Sequence, residues 1–256
     1  MDTMTSGIAR TCTPVRHDGI ENPTPKFYYR TDIMLSSSAF SDRILMLPLF
    51  QGMCREDFQH ISARIRIGFQ RLETGKVLAA AGTDVTALHF LLSGSLTASL
   101  RLPENGMVFE ELCSRQMVIE PEALFGLPTR YERTYAAAEP SEILSVDKWA
   151  VRDLLFHYPT FRINYVNMLS VMRQRSMRHL TRVPSPRLDE RFVRMLNSLS
   201  LYPAGYKCIS TTRSTLARHL LATEAKLLEM LRHYADRGLL TQHRGRIEIP
   251  ALEKLS

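Results

Sequence analysis

Cysteine is scarce in this sequence, and no two cysteines lie close together. Cys12, Cys54, Cys113 and Cys208 are far apart and form no CxxC pair. Clustered-cysteine binding of zinc or of an iron–sulfur cluster therefore has no support, and we expect reduced thiols. Long apolar runs are also missing: residues 1–35 lack the apolar core of a signal peptide, and no segment has the length of a membrane span. We expect a cytoplasmic protein without a membrane partner.

Acidic residues are too few in the last third of the chain to balance its positive charge. The net charge is +7, and from Arg173 to the end there are 16 Lys and Arg against 7 Asp and Glu, whereas the rest holds 17 against 19. The whole basic excess therefore lies in this last third. Such a localised excess is typical of a segment that binds a polyanion, because each Lys or Arg on a phosphate releases condensed counterions.

Hydrophobic periodicity is absent from the first 35 residues, which are rich in Thr, Pro and Gly, and we predict that they are disordered. The chain has 256 residues and 45% apolar content, enough for two ordinary globular domains. From residue 65 to 146 the apolar pattern has a period of two, with turn residues about every 8–12 positions, which indicates a β-sandwich or jelly roll. The strand candidates are residues 88–92, 96–102, 108–113, 134–138 and 143–146, and an amphipathic helix is predicted before them at residues 55–64.

Histidine is nearly absent from this strand region, where His89 is the only one. A metal oxygenase built on a double-stranded barrel needs two histidines and a carboxylate on its metal. Elsewhere in the chain no nucleophile and base stand in a catalytic pattern. We therefore predict neither an enzyme nor a metal site.

A long helix is predicted from Pro159 to about residue 182, after a shorter one at residues 148–157. Its largest apolar side chains recur at 4-3-4 spacing, which is typical of a seam that pairs with a second helix in a homodimer. The alternative is that this stripe packs inside its own chain. A lateral set, Ile163, Val166 and Leu169, is expected to pack on the barrel. The predicted dimer seam comprises Phe161, Tyr165, Met168 and Met172.

A proline-rich hinge is predicted after the long helix, where residues 183–186 read VPSP. Ser185 is expected to cap the next helix, at residues 187–199, with Pro186 in its first turn. Because the prolines of this segment break the helix, we expect it to form the hinge between two domains.

Two amphipathic segments, residues 212–221 and 223–237, follow with only a residue or two between them. Each starts at a threonine suited to capping, and Gly238 closes the second as a left-handed terminator. Two apolar stripes this close along the chain pack at a steep angle, as in a helix-turn-helix. Extended runs at residues 239–243 and 246–249 then predict a wing.

The exposed positions of this region are polar and mostly basic, which favours a nucleic-acid interface over a purely structural helical hairpin. A carboxylate on the second helix can accept a hydrogen bond from cytosine N4, whereas arginine reads guanine. The predicted DNA-binding residues are Arg213, Arg218, Thr223, Glu224, Lys226, Glu229, Arg232, His243, Arg244 and Arg246.

Several short motifs in a fixed order resemble the bacterial regulators of the cyclic-AMP receptor protein and fumarate–nitrate regulator (Crp/Fnr) family. They are PLF at residues 48–50, LHFLLSG at 88–94, ALF at 123–125, Arg133-Thr134, and TTRSTLARHL followed by LLEMLRHYADRGLL. The resemblance covers residue 44 to the end. It implies an α+β fold with an N-terminal double-stranded β-helix (jelly-roll, cyclic-nucleotide-binding-like) barrel, a long dimerisation helix and a C-terminal winged helix-turn-helix.

Under this resemblance the chain divides into a disordered extension (1–35), an effector-sensing barrel (36–158), a dimerisation helix (159–183) and a DNA-binding domain (184–256). The implied function is that of a homodimeric transcription regulator, activator or repressor, which binds a palindromic operator and contacts RNA polymerase. A ligand in the barrel would shift the population of DNA-competent dimers. The alternative of another class is a ligand-binding module that regulates a protein partner without DNA.

The sequence departs from the family where a cyclic nucleotide binds. Family members have Gly-Glu before the ALF-like segment, and this chain has Glu120-Pro121 there. Proline has no amide hydrogen, and Tyr135 stands where the family has a small alanine. Cyclic AMP is therefore not the expected ligand, and Arg133 is expected to pair with Glu120 or Glu122 inside the barrel. The predicted effector pocket comprises Glu120, Glu122, Leu124, Arg133, Thr134 and Tyr135.

Two further comparisons with the family leave the signal and the operator open. Family members that read guanine have Arg, Glu and Arg where this chain has Glu224, Ala225 and Glu229, so the DNA target should differ. Other members bind haem and respond to nitric oxide or carbon monoxide, and haem is kept as an alternative cofactor. No spacing selects an axial ligand, and the candidates are His60, His89, Cys113 and the methionines.

Overall fold

The computed structural model describes residues 38–114, 116–180 and 185–255 and confirms the α+β class. The predicted disorder of residues 1–35 lies outside the described residues. The helices are α1 (Ser38–Leu45), α2 (Arg55–Arg64), α3 (Lys148–His157), α4 (Pro159–Leu180), α5 (Leu188–Leu199), α6 (Arg213–His219) and α7 (Glu224–Asp236).

Each predicted strand is present, with ends shifted by one or two residues. They shift because pairing, and not hydrophobic pattern alone, decides where a strand stops. The strands are β1 (Ile67–Leu72), β2 (Val77–Ala79), β3 (Ala87–Ser93), β4 (Ser95–Arg101), β5 (Val108–Ser114), β6 (Val118–Ile119), β7 (Thr134–Ala137), β8 (Ser141–Asp147), β9 (Lys207–Ser210), β10 (Thr241–His243) and β11 (Arg246–Ile249).

The strands form two antiparallel sheets. The first has the order β1-β8-β3-β6, and the second has the order β10-β11-β9-β5-β4-β7-β2. Strand β9 pairs with β5, so that Ile209 lies opposite Phe109 and the C-terminal hairpin extends a sheet of the barrel. Residues 183 and 184 of the predicted hinge lie outside the described residues. The described chain that follows is joined to the barrel by backbone hydrogen bonds between β9 and β5 as well as by packing.

Two clusters of buried apolar side chains stabilise the molecule. The first fills the space between the two sheets and continues under α1 to α4. The second joins Leu100, Met107 and Phe109 of the β4–β5 hairpin to apolar side chains of α5, α6 and α7. The residues of β4 and β5 that enter the two clusters have the same parity on each strand, so both clusters lie along one face of this hairpin, one after the other.

The turn between β3 and β4 depends on Gly94. Its φ of 87° lies in the left-handed region, and a Cβ atom there would approach the Pro140 carbonyl oxygen to 2.6 Å. Only glycine satisfies both the backbone conformation and the close approach of the neighbouring chain. The tight turn lets β3 and β4 enter different sheets.

The predicted dimer seam is wrong for Phe161 and Tyr165, which are buried within their own chain. The ring of Phe161 meets that of Phe50 with centroids 5.2 Å apart. Tyr165 donates a hydrogen bond to the Pro121 carbonyl oxygen at 2.6 Å. These contacts hold α4 against the barrel because the barrel, in the same chain, offers an apolar surface at the same helical spacing.

The other face of α4 carries the exposed apolar residues. Ile163 is 53% exposed and Val166 49% exposed, although both were expected to pack on the barrel, and Val171 is also exposed. Met168 and Met172 are half-buried. Leu169, the third residue of the set expected on the barrel, does pack against the barrel core. Only part of the predicted division of the helix into two faces is therefore reversed.

Three local predictions near the C-terminal helices need correction. Helix α5 begins at Leu188 with Arg187 as its N-cap residue, whereas Ser185, the predicted cap, accepts a hydrogen bond from the Arg187 amide and donates one to Glu190. Leu221, the last residue of the amphipathic segment predicted at 212–221, lies beyond the end of α6, is 80% exposed and has a φ of 51°. Strand β10 begins at Thr241, two residues later than predicted.

Candidate nucleic-acid interface and ligand cavity

Helices α6 and α7 start at threonine caps, as predicted. Thr212 accepts a hydrogen bond from the Thr215 amide at 3.1 Å, and Thr223 accepts one from the Lys226 amide at 3.4 Å. Gly238, with a φ of 68°, follows α7 in the left-handed conformation. Thr223 and Gly238 therefore define where α7 begins and where it ends.

Helix α7 buries one face and presents the other to solvent. Leu227, Leu231 and Tyr234 pack into the second core cluster. Beside α7, the β10–β11 hairpin turns at Arg244 and Gly245, and β11 is anchored by its pairing with β9. The turn therefore projects from a fixed strand pair.

Nine of the ten predicted DNA-binding residues are exposed on these elements. They are Arg213, Arg218, Thr223, Glu224, Lys226, Glu229, Arg232, His243 and Arg244. The five basic residues among them, histidine aside, form no ion pair with any residue that the structure describes. Their charges are thus free to meet a polyanion.

Arg246 does not belong to this exposed set. Its Nε donates to Glu248 Oε1 at 2.8 Å and its Nη2 to the Tyr206 hydroxyl at 3.4 Å, and only 18% of its side chain is exposed. Arg246 lies within strand β11, next to these acceptors, whereas Arg244 lies on the turn. The prediction of Arg246 as a DNA contact is therefore corrected to a structural role in the sheet.

A cavity of about 380 Å³ lies between the barrel and α4. Glu120 precedes a short 3-10 turn at Pro121–Ala123, and Glu122 lies within that turn. Tyr135 comes from β7. The φ of Glu120 is 39°, an unusual conformation for a residue with a side chain, and such strain is often found at functional sites. The cavity is lined by Pro48, Gln51, Met117, Val118, Glu120, Pro121, Glu122, Tyr135, Asn164, Asn167, Met168, Val171, Met172, Arg175, Leu201 and Tyr202.

Half of the predicted effector pocket lines this cavity, namely Glu120, Glu122 and Tyr135. Leu124 is fully buried in the core, and the Thr134 hydroxyl accepts a hydrogen bond from the Ala81 amide at 3.1 Å. These two side chains do not line the cavity, which corrects their assignment. The segments named in the prediction lie at the cavity, but not every predicted side chain in them faces it.

Arg133 also points away from the cavity, and it pairs with neither Glu120 nor Glu122. Its Nη1 donates to Glu111 Oε1 at 3.3 Å, and its Nη2 donates to the Leu199 carbonyl oxygen at 2.7 Å. Only its backbone amide reaches Glu120, at 3.0 Å. The Arg133 guanidinium therefore forms its hydrogen bonds within a buried network that includes the last residue of α5.

Glu111 is the centre of that network and was missed from the sequence. Its second carboxylate oxygen accepts from Lys207 Nζ at 2.8 Å, and its first accepts from the Leu201 amide at 2.7 Å. The side chains of Glu111 and Lys207 are each 1% exposed. A signal existed, since Glu111 lies between Phe109 and Cys113 at the inward parity of β5, where a charge must have a partner.

Burial and like charge act on the acidic groups of the cavity. Burial raises the pKa of Glu122 to about 6, and the negative charges of Glu120 and Glu132 add to this rise although solvent reaches the side chain. Burial also raises the pKa of Glu120, while hydrogen bonds from the Glu132 and Arg133 amides oppose the shift. At the cavity, two carboxylates whose surroundings disfavour the ionised form therefore lie close together.

Of the residues considered as haem ligands, the two histidines and the cysteine do not fit that role, whereas three of the methionines, Met117, Met168 and Met172, line the α4 cavity. His89 Nδ1 lies 2.7 Å from the Ser145 hydroxyl, its ring stacks on Tyr131, and burial lowers its pKa to about 4. Burial raises the pKa of the Cys113 thiol to about 12, and His60 is exposed on α2. Neither the two histidines nor the cysteine line the α4 cavity. Across the described residues no three His, Cys, Asp or Glu side chains are grouped to hold a metal ion.

Among the described residues, no helix is both long and apolar enough to cross a membrane. No family model matches the sequence, and no curated protein matches it.

Several solved structures are similar to this chain at low sequence identity, among them the following three. The catabolite activator protein of Thermus thermophilus is 16% identical over 81% of this chain and 96% of its own, with a TM-score of 0.43. A putative Crp/Fnr-family regulator of Eubacterium rectale is 20% identical over 82% and 96%, with a TM-score of 0.48. DNR of Pseudomonas aeruginosa is 19% identical over 86% and 97%, with a TM-score of 0.42. All three identities are 20% or lower and all three TM-scores are below 0.5, so these similarities support no conclusion about this chain.

Proposed function

We propose that this chain is a homodimeric, sequence-specific DNA-binding transcription regulator, whose α4 cavity binds a small-molecule effector. The observation that carries the proposal is the surface formed by α6, α7 and the β10–β11 turn. It presents five basic side chains with no ion-pair partner among the described residues, in the one third of the chain that holds the basic excess.

The shape of this surface suits the major groove, which admits one α-helix. Helix α7 is anchored by Leu227, Leu231 and Tyr234, so its outer face can enter the groove without unfolding of the core. With α7 in the groove, exposed Arg232 on that helix and exposed Arg244 on the hairpin turn would contact phosphates beside it. In this proposal α6, α7 and the hairpin act as a winged helix-turn-helix.

The acidic residues of α7 bear on specificity. Glu224 and Glu229 are exposed and would weaken binding to any phosphate backbone, so their presence favours a role in reading bases. A carboxylate accepts from the cytosine N4 amino group. We therefore expect an operator with cytosine at the positions that α7 meets.

Selection of DNA from a random pool tests the proposal, and an enriched inverted repeat is the expected result. With that DNA, Arg244→Ala should weaken binding and reduce the salt slope, log Kd against log[salt], by about 1.8, because each of the two protomers loses one phosphate contact and each contact contributes about 0.9. Arg130→Ala is the matched control, since Arg130 is an exposed arginine on the barrel beside Asp84. Equal slopes for Arg244→Ala and the unaltered protein would remove the hairpin from the interface.

The dimer is proposed to form through the exposed face of α4. Ile163 and Val166 lie about one helical turn apart on α4, and each is about half exposed. Neighbouring exposed apolar side chains of this size are typical of a surface that contacts another molecule. Replacing both by Glu should convert the dimer to a monomer in sedimentation equilibrium. Arg101→Glu, at the exposed end of β4 and outside α4, should leave the dimer intact, and a dimer that survives the double replacement would place the interface elsewhere.

The position of the cavity supports its role as a sensor. Its walls belong both to the barrel and to α4, so a ligand that prefers one arrangement of the two changes the population of that arrangement. Cyclic AMP is not the effector in this proposal, because the Arg133 guanidinium is held by Glu111 outside the cavity.

A module that regulates a protein partner is the competing function, and the DNA selection separates the two. Absence of any enriched sequence at low salt, with or without effector, would favour the protein partner.

A further inference from the structure

We propose that the α4 cavity binds a small organic cation, an apolar body that carries a primary ammonium group, and not a phosphate or carboxylate. This inference rests on the proposal that the cavity is the sensor, and it assigns the chemical class of the effector.

The first observation is the hydroxyl of Tyr135. Tyr135 is fully buried and lines the cavity, yet its hydroxyl is the only described buried side-chain N or O atom without a hydrogen-bond partner. It lies close enough to Glu120 for their pKa values to be linked, but not in hydrogen-bond geometry. Buried polar groups are rarely left unpaired, because the desolvation of such a group is costly. A ligand with an N–H donor would give this oxygen its partner.

The second observation is the pair of carboxylates beside that hydroxyl. Glu120 keeps its position by accepting hydrogen bonds from the Glu132 amide at 2.7 Å and from the Arg133 amide at 3.0 Å. Glu122 forms no ion pair with any described residue. Two carboxylates held at one wall, with no basic side chain between them, make a site that attracts a cation.

The basic groups near the cavity are either turned away or distant. Arg133 is held by Glu111 and by the Leu199 carbonyl oxygen. Arg175 is the only basic side chain among the lining residues. Glu122 lies near Tyr165 in the folded chain, and Arg175 is ten residues further along α4, which corresponds to about 15 Å of helix. An anion at the carboxylate end would therefore meet the negative charges of Glu120 and Glu122, while the positive charge that acts there, Arg133, is already paired with Glu111.

The remaining walls define the body of the ligand. Met117, Met168 and Met172 give the cavity an apolar and adaptable lining, and its volume of about 380 Å³ suits a small organic molecule. The raised pKa of Glu122, about 6, agrees with this reading, since a bound ammonium would relieve the repulsion from Glu120.

Matched ligand pairs test the charge of the effector directly. Tyramine and tryptamine carry an ammonium group, whereas 4-hydroxyphenylacetate and indole-3-acetate carry a carboxylate on a similar body, and cyclic AMP supplies an anionic phosphate. Calorimetric titration of the full chain at pH 7.5 should detect binding of at least one amine and of none of the three anions.

Two conservative variants connect binding to the cavity. Tyr135→Phe removes only the unpaired hydroxyl, and Glu122→Gln removes only a charge. Each should weaken amine binding roughly tenfold or more, the loss expected for one hydrogen bond or charge contact to an ammonium. Tyr158→Phe, a tyrosine outside the cavity, and Glu104→Gln, an exposed loop residue, are the matched controls and should not change the affinity.

The inference is overturned if an anion binds and the amines do not, if no probe binds, or if both variants bind the amine as tightly as the unaltered chain. Retention of selected DNA is measured on the same preparations without ligand or with each probe. Intact DNA binding with no amine binding would refute only the ligand class, whereas loss of DNA binding in every preparation would refute the regulator.

Discussion

The buried network at Glu111 makes a quantitative prediction about stability. Glu111→Gln keeps the size of the side chain and one acceptor oxygen but removes the negative charge. Two buried cations, Lys207 at 2.8 Å and Arg133 at 3.3 Å, then lose their counter-charge. They cannot move into solvent without separating β9 from β5, since Lys207 is fully buried in the strand pair.

The expected loss follows from the cost of leaving one partner of a buried ion pair unpaired, about 3–5 kcal/mol. For a domain of 150–250 residues, 1 kcal/mol shifts the melting temperature by about 2–4 °C. The melting temperature of Glu111→Gln should therefore fall by roughly 6–20 °C. A second replacement, Lys207→Met, removes one unpaired charge and should recover part of that loss.

Differential scanning calorimetry at neutral pH measures both effects. The matched control is Glu110→Gln, the preceding residue of β5, whose side chain is half-buried and accepts a hydrogen bond from Ser99 at 3.1 Å. Gln at this position keeps an acceptor oxygen for that bond, so the control should lose less than the roughly 1 kcal/mol of a whole hydrogen bond. If Glu111→Gln melts within 2 °C of Glu110→Gln, the network does not hold β9 to the barrel and the reasoning fails.

Three other predictions concern single sites. Gly94→Ala should destabilise the chain by at least about 1–3 kcal/mol in urea unfolding, because its Cβ would meet the Pro140 carbonyl oxygen at a positive φ, and a neutral result would contradict the turn. Burial lowers the pKa of His89 from 6.5 to about 4, so the unfolded chain binds more protons between these values, and stability should drop by about 3 kcal/mol as pH falls from 7 to 4. His89→Gln should remove most of this pH dependence. Iodoacetamide should label exposed Cys54 before Cys113, whose thiol has a pKa of about 12, and peptide mass spectrometry would reveal the reverse order.

Local patterns were sufficient to predict most elements. The caps Thr212 and Thr223 and the terminator Gly238 mark helix ends through bonds within a few residues, so the sequence contains what decides them. Strand periodicity likewise placed β3 to β5, because alternate burial on a sheet depends on parity alone.

The partners of these elements could not be predicted in the same way. The spacing of Phe161 and Tyr165 fits a second helix or a barrel equally well, and the chain's own barrel meets them. The pairing of β5 with β9 joins residues about 100 positions apart, for which no local pattern exists. For the predicted effector pocket, the motif identified Arg133. The direction of the Arg133 side chain, however, depends on Glu111, a residue outside the motif.

The union of β5 with β9 has a consequence for synthesis of the chain. Strand β5 ends at Ser114 and β9 begins at Lys207, so about 90 residues must be translated before one edge of β5 is covered. At about 5–20 residues per second the edge stays open for roughly 5–18 s, an interval in which an unpaired edge invites aggregation. An inward-pointing charge on an edge strand opposes such pairing, and Glu111 supplies one until Lys207 emerges from the ribosome. The carboxylate that later holds the finished sheet together thus first protects its unfinished edge.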